Sequence, residues 1–157
     1  MSRWNMKTDI ARILFAVFSI VAGVAAEELL PKPFGVGFPV LLACTLFFAM
    51  RRPLAPAVAY ALAAGAAEDA ISSLPLATGS GFFVVAALAV SLLRPSPAAS
   101  FLLAPPMFQL WLWIWEPSIG SGVFSRVLAS VPVGAVACAA TCLLMRMTER
   151  GAALDAA

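Results

Sequence analysis

Apolar residues in this chain come in long blocks, broken by short clusters of charge, proline and glycine. A helix needs about 20 mostly apolar residues to cross bilayer hydrocarbon, so six such helices would use about 120 residues and leave only short loops. The chain has 157 residues. The blocks predict helices over about 10–28, 34–50, 54–71, 75–93, 97–115 and 124–145, with boundaries good to a few residues. The expected fold is an all-α integral membrane protein: one transmembrane domain over 1–157, a compact six-helix bundle. Several of these spans are slightly short, which suits a thin or locally deformed bilayer.

Charge placement agrees with six crossings. Only 11% of residues are charged and 62% are hydrophobic, against about 25% charged in a soluble domain. Arg3, Lys7 and Arg12 precede or begin the first block, and Arg51 and Arg52 join the second to the third. Arg94 joins the fourth to the fifth, and Arg146 and Arg150 follow the sixth. Eight of the ten basic residues thus fall on one side, leaving Lys32 and Arg126 on the other. Positive residues stay in the cytoplasm, so both termini are expected inside. Glu27, Glu28, Glu68, Asp69 and Glu116 fall at the opposite, outer ends. Trp111, Trp113 and Trp115 approach the outer end of the fifth block, where a tryptophan belt is expected. Pro105-Pro106 should kink that helix.

The first block also has the layout of a cleavable signal: Arg3 and Lys7, an apolar run from Ile13 to Ala26, and a small-residue end, Gly-Val-Ala-Ala. Later blocks end in small residues too, which favours a retained helix.

The three outer turns resemble one another. Leu30-Pro31 and Leu74-Pro75 each lead to Gly-x-Gly-Phe, at Gly35–Phe38 and Gly79–Phe82, in a register shifted by 44 residues. Pro117 to Phe124 is a looser third copy. Three tandem hairpins would give this pattern, and so would ordinary turn chemistry, because Gly and Pro punctuate most turns.

Lipid gives no hydrophobic drive for helix association, so small residues mark close-packed faces. Ala57, Ala61, Gly65 and Asp69 form one stripe. Ser130, Gly134, Cys138 and Cys142 form another, and Ser19 with Gly23 a third. Cys44, Cys138 and Cys142 read as small packing residues, since two thiols on one face do not make a zinc site.

Glu68-Asp69 is the pair that needs a physical account. A carboxylate at the C-terminal end of a helix is disfavoured by that helix's dipole. Water, Arg126, the backbone N–H groups that begin the next helix, or a partner's cation would each offset this. Ser72 and Ser73 are candidate caps for the fourth helix, and Pro75 suits its first turn. The plain alternative is interface solvation, as at every acidic outer turn here.

Catalytic constellations are missing from the sequence. It has no histidine, hence no His-based acid/base pair, and no phosphate loop ending in Gly-Lys-Ser/Thr. No catalytic residue, metal, cofactor or nucleic-acid partner is expected; the basic residues read as topology determinants.

Gly65-Ala66-Ala67-Glu68-Asp69, then Ser72 and Pro75-Leu76, resembles the central signature of the rod shape-determining MreD family. In that family a Gly-x-x-x-Asp at a helix end is followed, six residues on, by Pro-Leu-Gly. Asp69 and Pro75 have that spacing, and Ala77 stands where the glycine would be. The resemblance implies a non-enzymatic component of the bacterial cell-elongation machinery in the cytoplasmic (inner) membrane. It implies partners of the MreC type, a RodA-type glycosyltransferase and its transpeptidase partner, and a role in cell shape and peptidoglycan biosynthesis. Gly65, Glu68, Asp69, Pro75 and Leu76 would then form a structural or partner-binding turn. Ala57, Ala61, Ser130, Gly134, Cys138 and Cys142 would serve helix packing. The rival is the substrate-binding subunit of an energy-coupling-factor vitamin transporter, of similar size and helix count.

Overall fold

The computed structural model describes the backbone of residues 6–30, 39–72, 75, 77–115 and 122–154. Among these residues the chain is all-helical, with no strand. Six helices follow one another: α1 (Met6–Leu29), α2 (Val40–Arg51), α3 (Leu54–Ile71), α4 (Thr78–Leu93), α5 (Pro97–Trp115) and α6 (Val123–Leu154). α3 and α5 coincide with the expected blocks. α1 begins earlier than expected, at Met6, and α6 runs on to Leu154, past Arg146 and Arg150. Residues 34–38 of the expected second block lie outside the described residues.

α4 starts three residues later than the sequence suggests, at Thr78 instead of Pro75. The reason is local. Pro75 sits in the turn, its carbonyl accepting the Thr78 N–H at 3.1 Å. Ala77 then takes a left-handed conformation, with φ 73° and ψ 6°, before the helix begins. Pro75 therefore does not open the helix.

α2 is the axis of the molecule. Every residue from Leu41 to Ala49 is buried, and α2 touches all five other helices. A helix that is apolar all round must be enclosed on all sides. Phe48 stacks on Tyr60 of α3, with ring centroids 4.1 Å apart and planes within 7°. The Tyr60 hydroxyl meets Ser19 Oγ of α1 at 2.9 Å. Phe82 and Phe83 of α4 close on Phe108 of α5 at 5.0 and 5.7 Å.

Among the described residues three helices are long and apolar enough to cross a membrane: Ile10–Leu29 within α1, Leu54–Ile71 and Pro97–Trp115. α2, with 12 residues, is about 18 Å long at 1.5 Å per residue, well short of a hydrocarbon core of about 30 Å. Being enclosed by protein, it is not bound to match that thickness. Large apolar side chains face outward instead: Leu14, Phe18 and Val21 on α1, Leu102 and Leu103 on α5, Leu128 and Val136 on α6. A surface this apolar calls for a nonaqueous neighbour.

The small-residue stripes lie inside. Ala57, Ala61, Ser130 and Cys138 are fully or nearly fully buried, and Cys142 is half-buried. A Cβ on Gly134 would run into the Pro105 ring, so α6 has a gap where the proline of α5 protrudes. All three cysteines are free thiols.

Candidate functional site

Among the described residues α3 and α4 make the most extensive contact of any two helices. Sequence dictates this: a Cβ on Gly65 would overlap the Ser80 backbone, so its absence lets the two backbones touch. One turn later the same face of α3 presents Asp69, which is 7% exposed. Asp69 Oδ1 accepts the Gly79 N–H at 2.5 Å. Oδ2 accepts the Ser80 N–H and the Ser80 hydroxyl, both at 3.2 Å.

The first N–H groups of a helix have no intrahelical acceptor and carry the positive end of its dipole. Asp69 fills that need for α4 from the end of the preceding helix. It answers the electrostatic question posed by the sequence: the dipole of α4 offsets the unfavourable end of α3. Arg126 is not among the partners. Gly79 is required for the same reason, because a Cβ there would lie 2.7 Å from Asp69 Oδ1. Gly81 has only ordinary room restrictions, its nearest neighbour being Trp111 at 3.7 Å.

Ser72 does not cap α4. Ser72 Oγ donates to Glu68 Oε1 of its own helix at 2.8 Å, and Ala77, the residue at the N-cap of α4, has no side-chain cap. Ser73 and Leu76 lie outside the described residues. Glu68 lies near enough to Glu27 of α1 for the two carboxyls to act on each other electrostatically.

Glu27 repeats the arrangement of Asp69. It is 8% exposed at the end of α1, and its Oε1 accepts the Leu41 N–H at the start of α2, at 2.8 Å. Gly23, one turn earlier, faces that same start, with Leu41 Cδ2 2.7 Å from where its Cβ would stand. Gly23-x-x-x-Glu27 and Gly65-x-x-x-Asp69 are therefore the same device: a glycine for close approach, then an acid to cap the returning helix. Sequence reasoning that aligned the turns by Leu-Pro and Gly-x-Gly missed this pairing. The signal was there in the i, i+4 spacing of glycine and acid at two helix ends. Gly35, Gly37, Glu116 and Gly120 lie outside the described residues.

Trp111 fastens the fifth helix to the same site. Its Nε1–H donates to the Thr78 carbonyl at 2.9 Å, and its ring meets Phe82 at 6.0 Å. Of the three tryptophans of the expected belt, Trp113 and Trp115 are exposed, whereas Trp111 is half-buried and serves the α4 turn.

Chemically, the site is a set of buried acceptors matched to backbone donors. Among the described residues no three His, Cys, Asp or Glu side chains gather where they could hold a metal ion. Comparison of the chain with protein-family models, with curated proteins and with solved structures gave no match.

Proposed function

We infer that the chain is a multi-pass membrane protein whose six helices all lie in the bilayer, with both termini on the arginine-rich, cytoplasmic side. It acts as a non-enzymatic docking component of the bacterial cell-elongation complex, of the MreD type. One observation carries the reading. Ala77 occupies the place of the glycine in the family's Pro-Leu-Gly, and it adopts φ 73°, a conformation that favours glycine. Asp69, the acid of the same signature, holds the start of the helix that this turn launches. A signature of glycine, acid, proline and glycine is what such a turn requires for folding, with no chemistry implied.

The partners in this reading are an MreC-like protein, a RodA-type glycosyltransferase and its transpeptidase. Affinity purification of the tagged chain from its native membranes tests it. Recovery of an MreC-like protein with cell-wall synthases is expected. Recovery of paired ATPase subunits, or of a bound vitamin, would replace the docking reading with the transporter one.

A further inference from the structure

The end of the bundle opposite the capped turns holds a cavity of about 750 Å³. Four arginines from three separate parts of the chain line it: Arg51 and Arg52 between α2 and α3, Arg94 after α4, and Arg146 on α6. None of the described residues lining it is acidic. Its inner wall includes Phe47 and Phe101, and the Arg51 guanidinium lies 5.3 Å from the Phe47 ring centre.

On the other side of the Arg51-Arg52-Pro53 turn runs a second cleft, also about 750 Å³, between α1 and α3. Its walls are hydrocarbon, among them Ile13, Val17, Ile20 and Ala63, and Arg12 adds a further cation. Ile13 and Val17 are more than half exposed.

Four guanidinium groups around one cavity favour an anion, and guanidinium is the cation whose fork of donors fits phosphate oxygens. A small hydrophilic anion would satisfy the arginines but not the apolar cleft that shares their turn. An acidic peptide would match the charge but has no use for a hydrocarbon groove. A phospholipid with a net negative headgroup matches both, and basic pockets between helices at the membrane surface hold such headgroups.

We propose that the Arg51-Arg52 turn holds an anionic phospholipid, its phosphate among Arg51, Arg52, Arg94 and Arg146 and an acyl chain along the groove between α1 and α3. The proposal rests on the membrane reading but not on the docking function, so a failed partner purification leaves it standing.

Native mass spectrometry of the purified full chain in detergent tests it, with phosphatidylglycerol and phosphatidylcholine of identical chains as probes. A one-to-one phosphatidylglycerol adduct is expected to survive where the phosphatidylcholine adduct does not. The pair Arg94→Gln and Arg146→Gln should weaken phosphatidylglycerol binding roughly 25-fold, at about five-fold per arginine near an anionic headgroup. Phosphatidylcholine binding should not change. Arg94→Lys with Arg146→Lys keeps the charge and should retain the lipid, which separates loss of binding from loss of fold. Val17→Trp, which fills the groove, should weaken lipid binding as well. Equal retention of the two lipids would overturn the proposal. So would displacement of phosphatidylglycerol by millimolar inorganic phosphate with Val17→Trp silent, which would make the site one for a small anion. Displacement by a polyglutamate peptide under the same conditions would assign the arginines to an acidic protein segment.

Discussion

Asp69→Ala removes the acceptor of two backbone N–H groups and one hydroxyl at a largely buried position. Hydrogen bonds to a charged group contribute about 1.5–3 kcal/mol each, and a buried donor left unpaired costs about 1–3 kcal/mol. Caps replaced by alanine typically lose about 1 kcal/mol, and interhelical polar pairs in membranes average about 0.6 kcal/mol. The Ser80 hydroxyl can turn to another acceptor, but the Gly79 and Ser80 N–H groups cannot. Two stranded N–H groups at the lower figures, together with the lost dipole interaction, give about 3 kcal/mol. For a chain of this length that lowers the melting temperature by roughly 6–12 °C. Asp69→Asn keeps one carbonyl for Gly79 but sets an NH₂ against the Ser80 N–H, and should lose about half as much. Thermal unfolding in detergent, followed by circular dichroism, reads both. The capping account requires that order, alanine worse than asparagine. If both variants melt within about 1 °C of the wild type, far below the shift expected from the lost bonds, Asp69 is solvated at the interface and the account is wrong.

Ala77→Gly should raise the melting temperature, because a non-glycine residue in the left-handed region costs about 1–2 kcal/mol; a lower melting temperature would place Ala77 in an ordinary conformation. Gly134→Ala should destabilise by about 1–3 kcal/mol through overlap with Pro105. Combining it with Pro105→Ala should recover part of that loss in the same melt, whereas additive losses would separate the two residues. Glu68→Gln should be tolerated, since its amide carbonyl can still accept the Ser72 hydroxyl, whereas Glu27→Ala strands the Leu41 N–H and should cost about 2 kcal/mol. Protection of the α2 amides in hydrogen exchange distinguishes the two, falling only for Glu27→Ala.

The resemblance rests on Gly65, Asp69 and Pro75, but the capping could not be read from it. The sequence offered four ways to neutralise Asp69 and gave no means of choosing. Ser72 looked like a local cap because serine before a helix usually is one. The actual cap comes from ten residues back in the chain, on a different helix. Such a contact depends on how closely α3 and α4 approach, which Gly65 permits and only the packed structure fixes. Trp111 illustrates the same limit. Its place in a run of alternating tryptophans suggested the interface, yet its indole N–H found a carbonyl on α4.

By itself the sequence determined the number of helices and the bounds of α3 and α5, because apolar length and the placement of proline and arginine act locally along the chain. It also determined which residues were small enough for helices to meet. Tertiary structure alone decided that α2 is the enclosed axis, that Glu27 and Asp69 perform the same task, and that four arginines from three distant parts of the chain share one cavity. Helix formation follows from each segment's own backbone and side chains. The other three depend on which faces meet, and in an alanine-rich chain many faces are smooth enough to pair.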